Sequence, residues 1–587
     1  MTDFLHPALL FILGVLPIPF LQGSIRKAYL LLVPALAILA VLAMQPGDYG
    51  AARFIGQEIL MAKVDKLSVV FALVFTIIAL IGMVYALHLP RAGQHVAAFV
   101  YVGSALGVVF AGDYLTLFLF WEGMALASAY LVFAQRGGPA IRAGFRYLMV
   151  HVTGGVVLLG GVILHSLATG SLLFGPIEGE MGAGAYLILA GFMLNAAVPP
   201  LNAWLTDAYP EATVTGAVFM SAFTTKTAVY VLARAFPGVE LLVWLGTVMA
   251  LYGVIYAVLE NDCRRLLAYH IVSQVGYMVA GVGIGTEMAV NGAASHAFAH
   301  ILYKALLFMG AGAVIYVTGR RKLTELGGLY RTMPLTVVLY MVGALAISAF
   351  PFFSGFVTKS MVVAAAGQDH RALVVLALTM ASSGTFLHTG LKLPYYMFFG
   401  TDRGLEAREP PPPNMLAAMG MAAVLCIAIG IFPQPLYALL PYPVEFEPYT
   451  GVHVTESLGV LMFTALGFVL FLKALDPENT ISLDTDWFYR KGARCFMWLA
   501  EKPLASYEKA VSDVSETVAL PFLHRAARAG LRADLNGVDA VVNGIARSIL
   551  HGGGMLRLLQ TGVVTHYALA MIVGLIAATA VFAVVWR

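Results

Sequence analysis

Stretches of about 20 apolar residues, enough helix to cross about 30 Å of hydrocarbon, recur along almost the whole of this chain. They fall near 6–22, 28–45, 67–88, 95–111, 114–134, 144–168, 183–204, 213–236, 240–260, 266–285, 289–317, 334–364, 371–400, 415–433, 452–475 and 564–585. Each is long and continuously apolar, whereas barrel strands alternate over about 10 residues. The pattern predicts an all-α polytopic membrane protein of about 16 transmembrane helices. Composition agrees: of 587 residues 60% are hydrophobic and 11% charged, against about 25% charged in soluble domains, which excludes a water-soluble enzyme. A net charge of +3 is too small and scattered for a nucleic-acid surface, so partners are expected within the lipid bilayer.

Cys263, Cys426 and Cys495 lie far apart, without a CxxC or Cys/His spacing, so neither a disulfide framework nor a metal site is expected. No flavin, iron-sulfur or dinucleotide motif is present. The clusters Gly327-Gly328 and Gly552 to Gly554 lack a strand-to-helix setting. No cofactor and no redox centre are expected on this chain. The first positive charges, Arg26 and Lys27, follow the first apolar stretch, an order that does not fit a cleavable signal peptide.

Loop charges set the expected sidedness. Connections after odd-numbered spans carry 13 Lys and Arg, from Arg26 through Arg408, and those after even-numbered spans carry five: Arg53, Lys63, Lys66, Arg234 and Arg371. Positive charge favours the cytoplasmic side, which places the N-terminus outside. Residues 476–563 differ. They mix charges (Asp484, Asp486, Arg490, Lys491, Arg494) with apolar residues at helical spacing (Val511, Val514, Val518, Phe522), and reach a Gly552-Gly553-Gly554 breaker before the last span. The reading is an amphipathic helix along the membrane face or a neighbouring subunit, with a cytoplasmic linker as the alternative. Pro410 to Pro413 reads as a stiff loop without chemistry.

Five ionisable residues fall deep within spans: Glu122, Lys226, Lys304, Lys359 and Lys392. Each costs about 2.5 to 3.5 kcal/mol at a helix centre, so together they ask for on the order of 12 kcal/mol unless paired or hydrated. Snorkelling to the interface is the alternative for Lys392 and Lys359, which lie nearer span ends. His296, His300 and Lys304 are four apart and line one helix face; His388 and Lys392 repeat the spacing. Imidazole both gives and accepts protons near neutral pH, and a buried lysine can be driven towards neutrality. The column therefore reads as a proton relay. Haem ligation is disfavoured, since two ligands one turn apart on one helix cannot take opposite faces of one haem. Pro199-Pro200, and Pro351 with Gly355, interrupt two spans. Proline removes a donor, and the carbonyls it frees are tolerated at membrane depth only against protein or water, as at transporter ion sites.

LFLFWEGMALASAYLV around Glu122, PLNAWLTDA at 200–208, CRRLLAYHIVSQVGYM at 263–278, HAFAHILYKALLFMGAGAVI at 296–315 and FPFFSGFVTKSMVV at 350–363 closely resemble the antiporter-like subunits. These are shared by Mrp-type multisubunit cation/proton antiporters and by the membrane arm of respiratory complex I and related hydrogenases. Within them the resemblance is nearest to the D-type Mrp subunit. The amphipathic segment with LQTGVVTHYALAMIVG also resembles the lateral helix and last span of the largest complex I antiporter-like subunit. The resemblance implies two inverted five-helix repeats, about 95–260 and 266–400, each with one broken helix. Around that core stand N-terminal spans (1–94), C-terminal spans (401–475), the lateral segment (476–563) and a last helix (564–587).

The resemblance also implies a midplane chain of charges formed by Glu122, Lys226, Lys304 beside His300, and Lys359. One position departs: the family's lysine five residues before the PLxxW proline is Asn195 here. Glu122 thus lacks its usual partner, and Lys226 is the nearest candidate along the chain. Asn202 and Thr206 depart too, where histidine and proline are common. The implied role is translocation of H⁺, or Na⁺ against H⁺, by one subunit of a hetero-oligomeric complex in the cell (inner) membrane. The rival is a structural membrane subunit that no longer pumps.

Overall fold

The computed structural model describes residues 6–54, 56–177, 179–405, 410–478 and 484–586. Arg408, one of the loop charges, and the side chains of Asp486 and Arg490 lie outside the described residues. Thirteen of the described helices are long and apolar enough to cross a membrane. The first apolar stretch is shorter: the helix Pro7–Gly14 is capped by the His6 side chain and continues as turns to Phe20. Helices Val214–Ala222, Thr224–Ala235, Cys263–Ile284 and Glu287–Thr318 are buried along nearly all their length and form the centre.

Glycine permits this density, because close helix approach in lipid needs small residues at the contact. A Cβ on Gly161 would stand 2.6 Å from the backbone nitrogen of Ile188, and one on Gly184 would stand 2.5 Å from that of His165. Those glycines let the helices Gly138–Thr169 and Ala183–Asn195 touch backbone to backbone. A hairpin passed over in the sequence reading joins the second and third spans. Strands Gly47–Phe54 and Gln57–Val64 pair antiparallel, with Gly47 opposite Val64. Buried Asp113 ties it down by accepting from Leu60 N at 3.0 Å, while also capping Tyr114–Phe133 through Thr116 N at 2.8 Å.

Both expected breaks are present, and they share one turn. The helix Ala183–Asn195 ends with Val198 N donating to Met193 O at 3.1 Å, and Pro334–Ile347 ends with Phe350 N donating to Leu345 O at 3.1 Å. Each six-residue closure puts an alanine, Ala197 (φ 59°) or Ala349 (φ 55°), in the left-handed position that glycine normally takes in this cap. Each alanine stands two residues before a proline, Pro199 or Pro351. The second break is held by close packing: Gly355 lies against the Ala346 carbonyl, and Gly430 against the backbone of Phe352 and Phe353. A third break was not foreseen. The span expected at 213–236 is two helices, Val214–Ala222 and Thr224–Ala235, meeting at Phe223 (φ −99°, ψ −67°).

Residues Phe488–Arg587 form a separate compact unit. The helix that begins at Asp486 runs through it to Leu559 with π-helical turns at Ala500–Leu504, Ser515–Ala519 and Asp534–Val538. The glycine breaker expected at Gly552-Gly553-Gly554 is corrected: the helix Asp539–Leu559 passes through all three glycines. Three glycines cost about 1 kcal/mol each against alanine, but the helix still satisfies every backbone group by itself. The chain breaks instead at residues 560–563, where Gly562 takes φ 67°, before the last span, Val564–Val585.

Gly355→Ala is expected to destabilise the purified protein by about 1–3 kcal/mol through overpacking, seen as a lower midpoint in thermal unfolding. Gly459→Ala, with open space at the new methyl group, is expected to leave that midpoint unchanged or slightly raised.

Candidate proton path

The column read from the sequence lies on the helix Glu287–Thr318, begun by Thr286 accepting from Ala289 N. His296, His300 and Lys304 are fully buried. The rings of His296 and His300 stand 6.1 Å apart, and Tyr303 lies 5.2 Å from His300. Neither ring nitrogen of His300, nor Nε2 of His296, nor Lys304 Nζ finds a hydrogen-bond partner in the protein. Buried polar groups are nearly always satisfied, so four such atoms along one face call for bridging water. His270 extends the group from the helix Cys263–Ile284. Its ring stands 6.1 Å from that of His388, and both its nitrogens lack a protein partner.

Three other lysines are seated alike, each on a carbonyl at a helix C-terminus. Lys226 Nζ donates to Ser221 O at 2.6 Å, in the last turn before the Phe223 break, and to Thr225 Oγ1 at 3.1 Å. Lys359 Nζ donates to Ile347 O at 3.2 Å, the last residue of its broken helix, and lies 5.6 Å over the Tyr277 ring. Lys392 Nζ donates to Val258 O at 2.7 Å, near the end of the helix Glu240–Leu259. The final carbonyls of a helix have no partner within it and carry the negative end of its dipole. At Lys226 and Lys359 the cation is steadied without a carboxylate, whereas Lys392 also lies within electrostatic reach of Glu260 and Asp476. Lys359 is 2% exposed and its amine lies on Ile347 O within the bundle, away from the interface; Lys392, 3% exposed, reaches the end of the helix Glu240–Leu259 beside Glu260. His388 and Lys392 part company despite their spacing: a π-helical turn, Phe386–Lys392, carries both, and the first faces His270 while the second faces Val258.

Lys226 lies within electrostatic reach of Lys304, His300 and His296, and Lys359 within reach of His296 and His270. Tyr277 links the two groups, 5.9 Å from His296 on one side and beneath Lys359 on the other. Beyond Lys359 a cavity of about 170 Å³ opens between Ser348, Phe356 and Ser382 on one side and His453, Glu456 and Ser457 on the other. Those last three belong to the helix Gly451–Leu470, in which no site residue was expected.

Glu122 stands apart from the central group. Its carboxylate packs on Gly155 of the neighbouring helix Gly138–Thr169, and its Oε1 has no protein partner. Lys226, the candidate partner from sequence, is turned to the Ser221 carbonyl instead. Asn195 ends its helix beside the Pro199-Pro200 break and faces His151; Trp204 Nε1 closes that turn onto Leu194 O at 2.9 Å. Sequence reasoning missed His151, His270, Tyr277, Tyr303 and the Phe223 break. His270 and Tyr277 lie inside the motif CRRLLAYHIVSQVGYM, so a histidine and a tyrosine one face apart from the main column were the available signal.

Residues 111–385 match the family described as NADH:quinone oxidoreductase/Mrp antiporter, transmembrane. An uncharacterized protein of Mycobacterium tuberculosis is 32% identical over 433 residues, covering 68% of this chain and 66% of that one. The D-type subunit of the Na⁺/H⁺ antiporter of Alkalihalophilus pseudofirmus is 30% identical over 352 residues, covering 56% of this chain and 71% of its own length. In fold, a chain of the membrane-bound sulfane sulfur reductase, an archaeal respiratory membrane complex, matches with a TM-score of 0.68 at 22% identity, over 87% of this chain and 96% of that one. With its buried lysines, its two capped breaks and these matches, the chain belongs to the NADH:quinone oxidoreductase/Mrp antiporter family of multi-pass membrane subunits.

Proposed function

We propose that this chain translocates protons across the membrane as one subunit of a multisubunit complex, with entry near Glu122 and passage along Lys226, Lys304, His300, His296 and Lys359. One observation carries the reading: titratable side chains run in file through the buried centre, and Lys304 Nζ, both nitrogens of His300 and Nε2 of His296 have no protein partner, His296 Nδ1 alone meeting Thr358 Oγ1 at 3.5 Å. Such atoms need water, and water between imidazoles and amines conducts protons. Two like charges ~7 Å apart at an effective dielectric of about 20 interact by about 2.4 kcal/mol. A proton arriving on Lys304 therefore pushes on Lys226 and, through the histidines, on Lys359, with no domain movement. With the N-terminus outside, as the loop charges favour, the cavity beside Lys359 and Glu456 leads to the outer face.

The likeness to a Na⁺/H⁺ antiporter subunit supports exchange of a cation for H⁺, and the likeness to a respiratory complex supports pumping driven by redox chemistry on other chains. The helical residues 491–559, nearly all exposed, would bind a companion subunit or the membrane surface through Val511, Val514, Val518 and Phe522. Identification of the companion chains in the purified native assembly decides between the two.

Lys304→Ala is expected to lower proton flux at least tenfold in vesicles carrying the native assembly, with the assembly intact on a native gel. Full flux would show a structural, non-pumping subunit. Glu122→Gln is expected to be nearly as severe. Ser457→Phe, which fills the cavity beside Lys359, is expected to slow flux in the same assay without loss of assembly; unchanged flux would remove that cavity from the path.

A further inference from the structure

Between Glu122 and Lys226 the proton path needs a further carrier, and a buried histidine lies on the helix against which Glu122 packs. His151 lies on the helix Gly138–Thr169, 1% exposed. It is four residues before Gly155, the glycine on which the Glu122 carboxylate packs. Four residues along a helix is about one turn on the same face, so ring and carboxylate share one side of that helix. Neither nitrogen of His151 makes a hydrogen bond of 3.5 Å or less, and the polar side chain that faces the ring is Asn195. Packing alone does not require a histidine there. The ring is clasped by Tyr147 at 4.2 Å and Trp204 at 4.5 Å, where an aromatic residue would bury no orphaned nitrogens.

On the far side of His151 the polar atoms continue towards Lys226. Tyr147 OH shares a hydrogen bond of 2.8 Å with Ser128 Oγ. The Thr224 hydroxyl, 2.5 Å from Tyr101 OH, lies within reach of the hydroxyls of Tyr147 and Tyr209 as well. Thr225, the next residue, accepts from Lys226 Nζ. Tyr209 OH and Asn195 Oδ1 are buried and make no hydrogen bond of 3.5 Å or less, with Thr224 and His151 the polar side chains that face them, an arrangement that water can join.

We propose that His151 carries the proton between Glu122 and Lys226. The neutral ring takes a proton on the nitrogen nearer Glu122 and releases one from the other nitrogen to the hydroxyl and water group around Tyr147 and Thr224. Return to the starting tautomer resets it, with no net change in protons. Asn195 faces the ring and orients it, and a lysine at 195 would point a second base into the same space. The inference rests on the proton-path reading, and the experiment separates the two.

Proton flux is measured in vesicles bearing the native assembly with His151→Gln, His151→Lys, Asn195→Lys, the pair His151→Gln with Asn195→Lys, and Lys304→Ala. Flux is expected to fall at least tenfold in His151→Gln, to survive in His151→Lys, and to return to at least half the starting value in the pair, which loss by misfolding would not allow. If His151→Gln does not assemble, His151→Met against His151→Lys makes the same comparison, with flux expected only in the second. More than half the original flux in His151→Gln, or an assembled pair that stays inactive, overturns the role of His151. Lys304→Ala is inactive if the path stands, so full flux in both single variants overturns the path itself.

Discussion

The amines of Lys226, Lys359 and Lys392 rest on carbonyls at the ends of helices, and the chemistry of the centre depends on this. An isolated ammonium in an apolar bundle is expensive, and a carboxylate partner would trap it as a fixed ion pair. A helix C-terminus offers partial negative charge and an unpaired acceptor, enough to steady the amine while leaving it free to lose its proton. The helix breaks at Phe223 and at Ile347 to Ser354 supply two of these acceptors inside the bundle. Lys304 has no such seat, and sits among histidines in a region that must hold water.

Stability and function are therefore set by the same local strain. Ala197 and Ala349 adopt left-handed backbone, each costing about 1–3 kcal/mol, and the turn at Ala349 releases the Ile347 carbonyl on which Lys359 rests. Glycines stand where the broken segments must be approached closely, Gly355 and Gly430 above all. The duplicated turn supports the reading of two related five-helix repeats. The long helices carry the hydrophobic burial, while the chemistry gathers where they stop.

Much of this was legible in the sequence for plain reasons. Four-residue spacing puts His296, His300 and Lys304 on one face in any α-helix, and Pro199-Pro200 and Pro351 cannot continue one. The Phe223 break was not legible, because FMSAFTTKT contains neither proline nor glycine and the interruption is a product of packing. The partner of Glu122 was not legible, because chain proximity offers Lys226 only as a candidate and its amine rests on the Ser221 carbonyl that the Phe223 break exposes. Gly552 to Gly554 misled in the opposite sense, since their helix cost is small beside the hydrogen bonds that a break would have to replace. The hairpin at 47–64 was passed over because attention to apolar length ignores short polar strands.

The central claim is that the file from Lys226 to Lys359 is wet. Hydroxyl radicals generated by X-ray radiolysis of bound water modify the side chains that touch it, so footprinting of the membrane-embedded native assembly tests this directly. His300, His296 and Tyr303 are expected to be modified at rates far above those of buried phenylalanines outside the file, such as Phe71 and Phe75. Protection of all three to the level of those phenylalanines would contradict the account.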